Sequence, residues 1–151
     1  MACPPGQLVC WCYNVWAAQP QVRVSEMYKV GVTKRFSAAH RLEGHEGKCS
    51  RLHGHTWGVE AVFSSAEVSR GGMVLDFEAA GAMLDKVIEP YDHRYLNEVE
   101  PFTSVRPTAE NVARVLFTGI LKAIEGGGHP VSLEKVTVWE SPDSWASYSS
   151  S

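Results

Sequence analysis

The chain has 151 residues, which points to a single domain long enough to bury a core without disulfide staples. It is 44% hydrophobic and 21% charged, with 13 Gly and 8 Pro, which excludes the fibrous and low-complexity classes. A formal net charge of -3 argues against a general nucleic-acid binder, and an anionic small substrate would need local positive charge in its pocket.

Four cysteines, Cys3, Cys10, Cys12 and Cys49, three of them crowded into the first dozen residues, do not make a disulfide framework. That usage predicts a reducing, cytoplasmic setting. No apolar run approaches the roughly 20 residues that cross a bilayer, so no membrane partner is expected. Leu8 to Ala18 leans apolar, but Asn14 interrupts it and no Lys or Arg precedes it, unlike a secretory signal. Residues 1–26 are rich in Cys, Trp, Pro and Gln and carry no clear period. They read as an extension ahead of a domain over residues 27–151, and their cysteines match no zinc spacing.

From Tyr28 the chain reads as a β-hairpin. Tyr28, Val30, Val32 and Phe36 set an approximate period of two, and a polar stretch follows from Glu43 to Arg51. The second strand is predicted from about His53 to Phe63, where Trp57, Val59, Ala61 and Phe63 alternate. Asp76 is a candidate cap for a helix whose apolar face is Phe77, Ala80, Met83, Leu84, Val87 and Ile88, and Pro90 stops it. After a loop carrying Asp92 and His93, Pro107-Thr108 opens a second helix. Thr108 is its candidate N-cap, and its apolar pattern runs to Ile124 before Gly126-Gly127-Gly128. A strand spans Leu133 to Trp139 with Glu140 at its end, and Ser141 to Ser151 is at most a short edge strand. Strands and helices in this order predict an α+β fold with an antiparallel sheet.

His53-Gly54-His55 is the strongest local signal. Residues i and i+2 of a strand share a face, so both imidazoles can reach one ion. His40 closes the preceding strand and reaches the same face if the strands pair. Three histidines leave a fourth position open, which is the layout of a catalytic zinc site. The blander reading is a pair of surface histidines. Cys49 has three readings: a fourth zinc ligand, a reactive thiol near a cation, or an inert buried residue, the last least suited to its polar loop. Asp92-His93 is either an oriented proton relay or merely polar loop. Glu140 is either a buried acceptor for ligand N–H groups or a solvated strand end.

Several motifs in fixed order carry a resemblance. They are Phe36-Ser37-Ala38-Ala39-His40-Arg41-Leu42, Cys49-x-x-x-His53-Gly54-His55, Asp76-Phe77, Asp92-His93-Arg94-Tyr95-Leu96-Asn97, Pro107-Thr108-Ala109-Glu110-Asn111 and Val136-x-Val138-x-Glu140. Over about residues 28 to 140 the chain resembles the 6-pyruvoyl-tetrahydropterin synthase / 6-carboxy-tetrahydropterin synthase superfamily. The spacing of Cys49 to His53 is closest to the bacterial 6-carboxy branch.

The resemblance implies a tunnelling fold, ordered ββααββ, with two helices on one face of an antiparallel sheet. It implies barrel-like trimers paired as homohexamers, with active sites between subunits. The Ser-rich tail is a poor match to the last strand. It further implies zinc at His40, His53 and His55, and 7,8-dihydroneopterin triphosphate as substrate. Cys49 would be the base that removes a side-chain proton, His93 with Asp92 a proton relay, and Glu140 the acceptor that anchors the pterin. Thr108 and Glu110 would lie near the pterin, or serve only as the first turn of the second helix. Lys34, Arg35, Lys48 and Arg51 are candidates for the triphosphate, while His45 and His129 take no role. The carboxy branch yields 6-carboxy-5,6,7,8-tetrahydropterin and acetaldehyde for queuosine and other 7-deazapurines, and the pyruvoyl branch retains the side chain. A third reading is a zinc-stabilised binding module, closed by Cys49 and without turnover.

Overall fold

A computed structural model describes residues 26–149. The reading of residues 1–26 as an extension, with Cys3, Cys10 and Cys12, falls outside that range apart from Glu26. Five strands and two helices follow: β1 (Tyr28–His40), β2 (His53–Ser65), α1 (Phe77–Ile88), β3 (Arg94–Tyr95), α2 (Ala109–Gly127), β4 (Ser132–Ser141) and β5 (Ser144–Ser149). They form one α+β unit with the sheet ordered β3-β1-β2-β4-β5.

The β1–β2 hairpin keeps one antiparallel register from Tyr28 opposite Ser65 to His40 opposite His53. The period of two therefore puts Phe36, Ala38 and His40 on the same face as His53, His55, Trp57, Val59, Ala61 and Phe63. Both helices cover this face. Asp76 accepts from the backbone N–H of Glu78 and Ala79 at 2.8 and 3.1 Å, capping α1. Thr108 accepts from Asn111 N–H at 3.3 Å, capping α2, and Gly128 ends α2 with φ 63, where a side chain would be strained. Leu84, Leu116 and Ile120 are fully buried against Trp57, Val59, Val136 and Val138. Truncating such a leucine typically removes about 2–5 kcal/mol. Among the described residues, no helix is long and apolar enough to cross a membrane.

The four long strands are antiparallel as expected, but the sheet is mixed. The two-residue β3 pairs parallel to β1, with Ala38 opposite Arg94 and Ala39 opposite Tyr95. Two residues carry no period, so nothing in the sequence marks this strand. The Ser-rich tail, a poor match to a last strand, does form one, the short edge strand that its sequence allowed. β5 runs along β4 from Ser149 opposite Lys135 to Ser144 opposite Ser141. Its serines mask an alternation in which Ala146 and Tyr148 face the helices, and the Tyr148 ring lies 5.2 Å from that of Phe117. Glu140 is the penultimate residue of β4, at the register shift between Trp139 and Ser141 where the chain turns back into β5.

Candidate metal centre

The hairpin register assembles the three histidines. His40 ends β1 directly opposite His53, which starts β2, and His55 follows on the same face. The His40 ring centroid is 4.5 Å from that of His53 and 5.1 Å from that of His55, and His53 and His55 are 4.9 Å apart. Each ring offers one nitrogen, and these atoms lie within 4.8 Å of one another. Beneath them the fully buried Trp57 ring sits 4.9 Å from His40 and 5.2 Å from His55, while its Nε1–H donates to Ala38 C=O at 3.2 Å.

Hydrogen bonding assigns the tautomers. His40 Nδ1–H donates to Pro107 C=O and His53 Nδ1–H to Arg51 C=O, each at 2.7 Å. A carbonyl only accepts, so each Nδ1 holds a proton, and in the neutral ring each Nε2 presents a lone pair. The Nε2 atoms of His40 and His53 then face one another at 3.0 Å. His55 Nε2 is buried and has no hydrogen-bond partner among the described residues. Converging lone pairs and a buried orphan acceptor are unfavourable unless a cation fills the space between them, so the residues fit a metal ion. The His40 pKa is lowered to about 4, first by burial, then by the charges of His53 and His55, against the Pro107 hydrogen bond. His40 is therefore neutral at pH 7, the form that ligates metal.

Glu140 approaches from β4, with Oε1 3.8 Å from His40 Nε2. Cys49 lies in a short 3-10 turn, Lys48–Ser50, and is half-buried. Among the described residues, the group at ligand distance comprises the three histidines without Cys49. Asp92 Oδ1 accepts from Ser37 N–H at 2.8 Å and lies 3.0 Å from His93 Nδ1. His93 N–H also donates to Ser37 C=O at 2.6 Å, which holds the residue at φ 55, a left-handed conformation uncommon outside glycine. The Asp92 carboxyl is held below its ordinary range chiefly by the Ser37 N–H and also by His93, despite some desolvation. The His93 side chain is 80% exposed.

Two adjoining clefts connect these groups. One of about 790 Å³ is lined by Arg35, His55, Thr56, Trp139 and Glu140. The other, of about 560 Å³, is lined by Ser37, His55, Thr56, His93 and Tyr95. His55 and Thr56 belong to both. Cys49, Thr108 and Glu110 line neither cleft. Thr108 is engaged as the α2 cap, and Glu110 is exposed in the first turn. Of the basic candidates, Lys34 pairs with Asp85 at 2.7 Å, Arg35 faces the larger cleft, and Lys48 and Arg51 are exposed. The carbonyls of Pro107 and Arg51 orient the histidines but were invisible in the sequence, because any residue supplies a carbonyl.

An open three-histidine cluster at the end of an antiparallel hairpin, backed by two helices, defines an α+β fold with a candidate metal site. Residues 29–151 match the family model for 6-pyruvoyl tetrahydropterin synthase. The chain belongs to this enzyme family. It is 36% identical over 117 residues to a putative 6-carboxy-5,6,7,8-tetrahydropterin synthase of Archaeoglobus fulgidus, covering 78% of this chain and 91% of that one. It is 33% identical over 147 residues to 6-carboxy-5,6,7,8-tetrahydropterin synthase of Haemophilus influenzae, covering 81% and 99%. The structure of Caenorhabditis elegans 6-pyruvoyl tetrahydropterin synthase aligns with a TM-score of 0.73 at 29% identity, covering 83% of this chain and 97% of that one.

Proposed function

We propose that the protein converts 7,8-dihydroneopterin triphosphate to 6-carboxy-5,6,7,8-tetrahydropterin, acetaldehyde and triphosphate. The observation that carries this reading is the pair of adjoining clefts in which His55 meets both Glu140 and His93. The names of the Archaeoglobus and Haemophilus relatives and the Cys49–His53 spacing favour the carboxy product.

His40, His53 and His55 would hold zinc through Nε2. When bound, zinc supplies a Lewis acid for negative charge developing on the substrate's side-chain oxygens. Glu140 accepts hydrogen bonds from the pterin ring N–H and amino groups and fixes its orientation. Cys49, as thiolate, removes a proton from the substrate side chain. Asp92 holds His93 Nδ1–H, leaving Nε2 to take up and return protons. Arg35 faces the same cleft and suits the triphosphate. Thr108 and Glu110 would join the pterin pocket only through contacts made in an assembly.

The assembly proposed is a homohexamer of two barrel-like trimers. Support comes from the sheet edges: among the described residues, the edge of β1 away from β2, before Ser37, and the outer side of β5 lack strand partners, and a second copy can pair with them. A cytoplasmic enzyme supplying queuosine and other 7-deazapurine synthesis completes the reading.

The second reading is 6-pyruvoyl-tetrahydropterin synthesis by the same residues, favoured by the Caenorhabditis structure. Incubation of zinc-loaded protein with 7,8-dihydroneopterin triphosphate, with products identified by mass spectrometry, separates the two. Acetaldehyde with the 6-carboxy product is expected. A pyruvoyl product would replace the first reading by the second, and zinc binding without turnover would favour a binding module.

A further inference from the structure

β1 ends at His40, and the next residue is gripped by a distant side chain. Asn97 Oδ1 accepts from Arg41 N–H at 3.0 Å, and Asn97 Nδ2–H donates to Arg41 C=O at 3.0 Å. These two bonds extend a ladder between residues 92–97 and the end of β1. Ser37 exchanges bonds with Asp92 and His93, Ala38 lies opposite Arg94, and Ala39 lies opposite Tyr95. At Leu96 the backbone turns into a short 3-10 stretch, Leu96–Glu98, and leaves the ladder. The Asn97 side-chain amide, with the same donor and acceptor as a peptide, takes the place of the next rung.

The gripped residue lies between two parts of the centre. On one side is His40. On the other is Leu42, whose N–H donates to Cys49 C=O at 2.8 Å and closes the loop bearing the thiol. We propose that Asn97 is a positioning residue, which fixes Arg41 and so sets the Arg41–Leu52 loop with Cys49 at a defined place beside the three histidines. The inference rests on the proposed role of Cys49 as base.

Asn97 is only half-buried, so its removal opens no core cavity. Its contribution is the orientation of one peptide unit, and aspartate cannot replace it. Asn97→Asp preserves the acceptor for Arg41 N–H but sets a carboxylate oxygen against Arg41 C=O.

The test compares full-length, zinc-loaded wild type with Asn97→Asp and Asn97→Ala, measuring hydrogen exchange by peptide mass spectrometry, zinc content and kinetics. In Asn97→Ala, exchange at Arg41 and Leu42 should rise about tenfold, while β2 beyond Trp57 and α2 keep their protection. Zinc per chain should match the wild type, and kcat should fall about 10–100-fold with KM little changed. Asn97→Asp should protect the Arg41 amide more than Asn97→Ala does, yet share the fall in kcat. Wild-type exchange and kcat in both variants would overturn the proposal. So would uniformly faster exchange across β2 and α2 with loss of zinc, which would make Asn97 a general stabiliser of the fold. If the wild type itself shows no turnover, the reaction assigned to the protein fails. Faster exchange confined to the loop would still support the positioning role, and its absence would overturn it.

Discussion

His40 Nε2 lies 3.0 Å from His53 Nε2, while the Nδ1–H of each ring is committed to a backbone carbonyl. With both rings neutral, neither contact nitrogen carries a proton, and the pair is then repulsive until a cation stands between them. Together with the buried, unpartnered His55 Nε2, this predicts that metal binding stabilises the fold. Chelation should lower the melting temperature, and zinc should restore it. His55→Ala should weaken metal affinity by more than about 100-fold, a larger effect than loss of a group that only orients a ligand, as measured by competition with a chromogenic chelator.

Burial of His40 gives the metal-free protein a defined pH dependence. Its folded-state pKa is lowered from 6.5 to about 4. Between these values the unfolded chain binds a proton that the folded protein resists. The contribution of His40 is therefore fully present above pH 6.5 and is lost as pH falls to about 4. Its size is on the order of 3 kcal/mol as an upper limit. Urea unfolding of metal-free protein across this window should show the slope, and His40→Gln should flatten it.

Cys49 stands outside the group of atoms at ligand distance. Cys49→Ala should therefore leave zinc content and melting temperature near wild type while turnover falls about 10²–10⁴-fold, the range for loss of a general base. Metal analysis and steady-state kinetics on one preparation make the check. Joint loss of zinc and fold would instead identify Cys49 as a closing ligand.

The three-histidine cluster was legible in the sequence because strand period fixes which residues share a face. Once β1 and β2 pair, His40, His53 and His55 must converge. The same reasoning located Trp57 in the hairpin and the caps Asp76 and Thr108. It missed β3, which is too short to show a period, and it read β5 as marginal because serine is neutral to burial. No side-chain pattern foretells that Pro107 C=O orients His40, because that contact depends on how α2 docks.

Asp92 makes two commitments through one oxygen: it accepts from Ser37 N–H and orients His93. The Ser37 bond and His93 hold its pKa below the ordinary 3.8, so its charge is present above that value and is lost only as pH falls through the still lower folded pKa. Any loss of turnover between pH 4 and 7 therefore arises elsewhere. Asp92→Asn can still accept from Ser37 N–H but lacks the charge that favours one His93 tautomer. It should lower kcat about 10–100-fold without changing zinc content. A pH–rate profile checks the assignment: wild type and Asp92→Asn should share the shape of the acid limb above pH 4 and differ in height. A limb that moved with the substitution would put the titrating charge on Asp92 itself.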